Sequence, residues 1–124
     1  MPASISIRVG SILLNATLAD SRVAREVAGC LPIEAKARTW GEEIYFPVPV
    51  KTVIDTPVTR VSKGDIGYWP DGSCVCIFFG PTPMSSGDEI VPASAVEIIG
   101  RVEGDLSGLK GVRAGEKVRM AAGV

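Results

Sequence analysis

The chain has 124 residues, of which 46% are hydrophobic and 22% are charged, and its formal net charge is −1. Its 13 basic and 14 acidic side chains form no long block of either sign, so neither a nucleic acid nor a membrane is expected as a partner. The length predicts a single domain over residues 1–124, and the lack of a membrane-spanning apolar window or an N-terminal export signal predicts a cytoplasmic protein.

The N-terminal segment predicts two paired strands. Apolar and polar residues alternate over residues 5–9, which is typical of a half-buried strand. Gly10 and Ser11 allow a turn, and residues 12–18 can return as a second strand that pairs with the first.

One short helix is predicted after this pair. Asp20 or Ser21 can cap its start, and Gly29 and Pro32 end it. Its apolar positions at helical spacing are Val23, Val27 and either Cys30 or Leu31. Such a stripe is suited to covering the open end of a barrel.

The next strand contains the first candidate polar residues. After weak alternation over residues 33–39, residues 40–46 predict a strand. In a regular strand Trp40 would share a face with Glu42, whereas Glu43 and Tyr45 would point to the other face. A bulge at Gly41 is the alternative, and it would change the direction of every side chain before it. Residues 50–61 predict one or two short strands interrupted at 55–57.

The strongest local signal is a β-hairpin over residues 65–79. Tyr68 and Trp69 end its first strand, and Pro70-Asp71-Gly72 supplies the turn, with the last two residues tolerating positive φ. In the second strand Val75, Ile77 and Phe79 alternate with Cys74, Cys76 and Phe78. Neither face is polar, so one face is predicted to enter a core and the other to meet a helix, a partner or a ligand.

The C-terminal third predicts two further strands. Residues 95–99 form one that Gly100 ends, the glycine-rich stretch 101–115 allows at most a helical turn, and residues 117–121 form the last strand. About eight strands and one helix indicate an all-β barrel or sandwich.

The absence of histidine and the small number of cysteines restrict the catalytic and metal sites that the chain can form. Without histidine the chain cannot assemble a Ser-His-Asp or Cys-His nucleophile, and three thiols fall short of a closed zinc site. No glycine-rich phosphate loop is present either, so no cofactor and no metal are expected. Cys30, Cys74 and Cys76 are interpreted as small buried hydrophobes, with a reactive thiol or a redox pair as the alternative.

Several segments resemble a known family. GSCVCIFF (72–79) and VEIIGRVEG (96–104) are similar to strands of the cyclophilins. TWGEEIYF (39–46), GDIGYWP (64–70), FFGPTPMS (78–85) and PASAV (92–96) together resemble the small prokaryotic cyclophilin-like proteins of unassigned function. The resemblance implies a mainly β fold, a closed eight-stranded barrel with one short capping helix.

The resemblance does not extend to the prolyl-isomerase site. Cyclophilins that isomerise prolyl bonds use an arginine, a phenylalanine, a glutamine, a tryptophan and a histidine. Here the segment 43–46 that resembles their Phe-His-Arg motif has no arginine, their glutamine is lost within 74–76, and 90–94 replaces their tryptophan and histidine. Canonical isomerase residues are therefore absent, and whether the protein is an enzyme stays open.

Eight side chains are candidates for a ligand site: Arg38, Glu43, Tyr45, Tyr68, Trp69, Phe78, Thr82 and Met84. Glu43 and Tyr45 form the best polar pair, and Arg38 has a planar fork suited to a carboxylate or an amide oxygen. By contrast, Trp40, Phe46 and Phe79 are predicted to belong to the core.

Three functional hypotheses follow from these candidates. The first is a groove that binds a small molecule or an extended peptide, oriented by Arg38 or Glu43. The second is a residual prolyl isomerase in which Arg38 or Arg60 replaces the missing arginine in space. The third is a homodimer formed through the apolar outer face.

Overall fold

The computed structural model describes residues 2–123. Its elements are β1 (Ala3–Val9), β2 (Ile12–Leu18), α1 (Arg22–Ala28), β3 (Ile33–Lys36), β4 (Arg38–Thr39), β5 (Glu43–Pro47), β6 (Asp65–Trp69), β7 (Cys74–Phe78), β8 (Glu97–Glu103), a 3₁₀ helix (Ser107–Gly111) and β9 (Lys117–Ala122). None of the helices in this part of the chain has the length and apolar character needed to cross a membrane.

One antiparallel sheet of nine segments curls into a nearly closed barrel, in the order β3-β9-β1-β2-β8-β6-β7-β5-β4. The first and last strands in this order, β3 and β4, both come from residues 33–39. Ile33 pairs with Met120 of β9, whereas Arg38 pairs with Tyr45 of β5. Since only Ala37 separates β3 from β4, they act as one bent strand that joins both edges. The predicted eight-stranded barrel is therefore confirmed.

The helix packs on the barrel core as predicted. The Ser21 hydroxyl caps it by accepting a hydrogen bond from the Ala24 amide at 3.3 Å. Val23, Ala24 and Val27 are fully buried and join the apolar side chains inside the barrel. Burying a Val side chain of this kind stabilises a fold by roughly 1.5–3 kcal/mol.

The two apolar faces of β7 have different neighbours. Val75 and Ile77 point into the barrel core. Cys76 and Phe78 point outward and form a smaller cluster with Ile90, which we call the outer cluster. The second face is thus covered by a later part of the same chain, and the three cysteines are free thiols, with Cys74 and Cys76 buried.

The strands predicted over residues 50–61 are wrong. In the described chain this segment makes only isolated bridges, Val58 with Val96 and Val61 with Ile90. Side chains from neighbouring elements bind its backbone groups instead. The Glu97 carboxylate accepts from the amide of Asp55 at 2.7 Å and from the following amide at 2.9 Å.

Two further predictions, one for the end of a strand and one for the hairpin turn, are wrong. Gly100 does not end a strand, because β8 continues through it to Glu103. In the hairpin turn the residue with positive φ is Ser73, at 52°, and not Asp71 or Gly72. Position 72 requires glycine because a Cβ atom there would lie 2.5 Å from the Trp69 ring and collide with it.

Candidate functional site

A pocket of about 200 Å³ opens on the outer face of the barrel beside the outer cluster. Its lining residues are Trp40, Glu43, Tyr45, Trp69, Cys76, Pro92, Ala93 and Val96. An apolar cavity of roughly 150 Å³ holds one benzene ring, so this pocket has room for a single ring and a small substituent. Among the described residues that line it, Glu43 is the one with an ionisable carboxylate.

The floor and one wall come from the antiparallel pair β5 and β7. Glu43 and Tyr45 are two residues apart on β5 and therefore share the outward face. Tyr45 pairs directly with Cys76, which places the thiol beside the ring. The Tyr45 ring meets Trp69 edge to face, with centroids 6.2 Å apart and planes at 83°.

Trp40 completes the aromatic walls because the chain turns at Gly41. Gly41 has φ of 62°, and the Trp40 amide donates to the Glu43 carbonyl at 3.0 Å. The regular strand predicted over residues 40–46 is therefore wrong, and so is the alternative of a bulge, because Gly41 lies in a turn that joins the paired strands β4 and β5. Trp40, predicted to be core, is half-buried and lines the pocket instead.

The opposite wall, residues 92–96, is tied to the hairpin turn by side-chain hydrogen bonds. The Trp69 indole N–H donates to the Ser94 hydroxyl at 2.6 Å, and that hydroxyl donates to the Asp71 carboxylate at 2.6 Å. These bonds fix one indole of the pocket in orientation and hold the wall against β6.

Glu43 is the unusual group of the site. Its side chain is only 5% exposed, and its Oε1 atom is buried with no hydrogen-bond partner among the described residues. Burial away from water raises the pKa of the carboxyl from 4.5 to about 7, and hydrogen bonding with the Cys76 thiol offsets part of the rise. A buried polar atom without a partner costs free energy, so a hydrogen-bond donor brought to this oxygen would offset that cost.

The thiols beside Glu43 are unreactive. Burial raises the pKa of Cys76 well above its ordinary value, and the nearby Glu43 carboxylate raises it further. Burial also raises the pKa of Cys74, although Arg38 opposes the rise. Both thiols therefore stay protonated at neutral pH and are poor nucleophiles. Within residues 2–123 no three acidic or thiol side chains are grouped to hold a metal ion.

Three of the eight candidate residues, Glu43, Tyr45 and Trp69, meet in this pocket. Phe78 is buried in the outer cluster, and Arg38 is exposed on β4 opposite Tyr45.

The remaining candidates lie outside the pocket. Thr82 is buried, and its hydroxyl donates to the Val91 carbonyl, whereas Met84 on the same loop is 56% exposed. Tyr68 lies in the barrel core. Whether any of the eight binds a ligand stays a prediction. The other lining residues, Trp40, Cys76, Pro92, Ala93 and Val96, are not among the sequence candidates, and the apolar outer face of β7 indicates Cys76 alone.

Replacing Tyr68 with phenylalanine is expected to lower the free energy of unfolding by about 1–2 kcal/mol. The Tyr68 hydroxyl donates to the Val50 carbonyl at 2.6 Å and accepts from the Thr52 amide at 3.3 Å, so the variant leaves both groups without this partner. Urea unfolding measures the change. Tyr45→Phe, at the only other tyrosine, is the matched control and should change it less.

Comparisons with known proteins agree with this architecture. The sequence profile of the Cyclophilin-like family matches residues 3–121. The solution structure of a hypothetical protein from Archaeoglobus fulgidus is similar, with a TM-score of 0.83 and 38% identity over 98% of this chain and 95% of that one. A search of curated proteins finds no significant match. The resemblance stated from the sequence is confirmed, and the chain belongs to the Cyclophilin-like family.

Proposed function

We propose that the protein is a binding module that holds a small organic molecule in the pocket between Trp40, Tyr45 and Trp69. The observation that carries the proposal is the Oε1 atom of Glu43, which is buried at an aromatic pocket and has no hydrogen-bond partner within residues 2–123. Mostly apolar pockets with a few polar anchors are typical of small-molecule sites. The pocket volume favours a one-ring molecule over an extended peptide.

The positions of Arg38 and Arg60 favour ligand binding over prolyl isomerisation as the function of the protein. Arg60 is exposed and donates to Glu89 at 2.6 Å, and Arg38 is exposed on β4. Neither is among the residues that line the pocket, so in the described chain no guanidinium can polarise a prolyl amide bound there. Catalysed isomerisation of an Xaa-Pro peptide would instead support the isomerase alternative.

The homodimer alternative has less support. The apolar outer face of β7, on which this alternative depends, is covered by Ile90 of the same chain, and the large hydrophobic side chains that stay exposed among the described residues are Leu13, Val53 and Met84. Single exposed apolar residues are normal on monomers. A molecular mass that rises with protein concentration would favour this alternative.

Both tryptophans of the chain line the pocket, so their indole N–H signals in NMR spectra report on binding. We expect one-ring organic fragments to shift both signals. Trp40→Ala should weaken the best fragment about tenfold or more, because loss of an aromatic contact of about 1.4 kcal/mol corresponds to that factor.

The matched control is Val53→Ala, which shortens a side chain that is 73% exposed and not part of the pocket lining. Its fragment affinity should equal that of the wild type. The proposal is overturned if no fragment shifts either indole signal, or if the two variants weaken binding equally.

A further inference from the structure

The chemistry around Glu43 indicates which class of small molecule the pocket takes. We infer that the ligand is a compact organic cation whose N–H group donates to Glu43 Oε1 while its charge lies against the rings of Trp40, Tyr45 and Trp69. This inference rests on the proposed function and deepens it. It assigns one role to the carboxylate and another to the aromatic walls.

Two properties of the pocket favour a cation. Aromatic faces carry negative charge density and attract cations, most strongly where water is excluded. Tyr45 and Trp69 are in direct edge-to-face contact, so a ligand beside this pair meets ring surfaces in two orientations. An ammonium or amidinium donor would also satisfy the unpartnered oxygen of Glu43 and compensate its buried negative charge.

Glu43 is the group of the pocket whose protonation state changes near neutral pH. Cys76 and Cys74 face it from β7, and Tyr45 shares its face of β5. Arg38 on β4 opposes the rise in the pKa of Cys74. The wall formed by residues 92–96 contributes Pro92, Ala93 and Val96 to the lining, none of which titrates.

The direction of pH dependence distinguishes a cation from a neutral acceptor. A cation needs the ionised carboxylate, whereas a carbonyl ligand needs the protonated acid as a donor. With the pKa of Glu43 at about 7, the ionised fraction rises about tenfold between pH 6 and pH 8. Affinity for a cation should therefore rise by about this factor, and affinity for a carbonyl compound should fall by it.

The test uses three probes with the same ring: cyclopentylammonium, cyclopentanol and cyclopentanone. Alkylammonium ions stay protonated from pH 6 to pH 8, so the ligand itself does not titrate. Dissociation constants are measured from the indole N–H shifts of Trp40 and Trp69 at both pH values. Glu43→Gln is the test variant, and Glu42→Gln at the adjacent position is the control.

We expect cyclopentylammonium to bind about tenfold more tightly at pH 8 than at pH 6, and Glu43→Gln to remove this dependence while Glu42→Gln keeps it. If cyclopentanol or cyclopentanone binds and cyclopentylammonium does not, the inference is overturned and the proposed function stands. Tighter binding of cyclopentanone at pH 6 would overturn the inference in the same way. If neither these probes nor the one-ring fragments shift the indole N–H signals, both the inference and the proposed function are overturned.

Discussion

Glu43→Gln is expected to increase the free energy of unfolding by about 3 kcal/mol at pH 8 and to change it little at pH 4. The wild-type protein must keep a carboxylate in a pocket where burial raises its pKa from 4.5 to about 7. The neutral amide of the variant avoids this penalty at every pH. The effect is large because the side chain is only 5% exposed.

The sign follows from proton binding in the two states. Between pH 4.5 and pH 7 the folded protein holds a proton on Glu43 that the unfolded chain has released. The contribution of Glu43 to stability is therefore most favourable below pH 4.5, is lost as the pH rises to 7, and is constant above that. The difference between wild type and variant should follow this curve.

Urea unfolding at several pH values from 4 to 8 measures this difference. Glu42→Gln is the matched control, since its carboxylate is less buried and lies 3.9 Å from the Lys110 ammonium. We expect the control to show no comparable rise in stability between pH 4.5 and pH 7. A Glu43→Gln difference that is the same at pH 4 and pH 8 would contradict the raised pKa.

The barrel could be predicted from sequence because its strands carry local signals. Period-two alternation and the hairpin turn identify most strands, and the capping serine and Gly29 mark the ends of the helix. The strand prediction for residues 50–61 fails because several backbone groups of this segment bind side chains that are distant in sequence. Glu97 and Tyr68 bind this segment from other strands, and such hydrogen bonds cannot be inferred from a local sequence pattern.

The site could be predicted only in part. Strand alternation is local and predicts that Glu43 and Tyr45 share a face, and both line the pocket together with Trp69. The prediction that Trp40 belongs to the core is wrong because the direction of its side chain depends on the backbone at Gly41, where φ is 62°. The wall at 92–96 meets β5 only through the tertiary fold. The unpartnered Glu43 oxygen likewise becomes visible only when every neighbour is in place.

Gly100→Ala is expected to lower the free energy of unfolding on the order of 3 kcal/mol, at the upper end of the usual range for overpacking. Gly100 lies inside β8, between its partners Leu18 of β2 and Ile66 of β6. An added Cβ would collide with the Thr17 carbonyl oxygen and lie 3.2 Å from the Leu18 Cα. Backbone atoms of a paired strand cannot move aside as a flexible side chain can.

Gly111→Ala provides the control, because a Cβ there meets no atom within 4 Å and its φ is not positive. The control should be neutral or slightly stabilising, since alanine restricts the unfolded chain more than glycine does. Thermal and urea unfolding of the two variants measure the contrast. Equal stability of Gly100→Ala and wild type would mean that β2 and β8 can separate locally without cost. In that case the missing side chain at position 100 would not be what permits their close pairing.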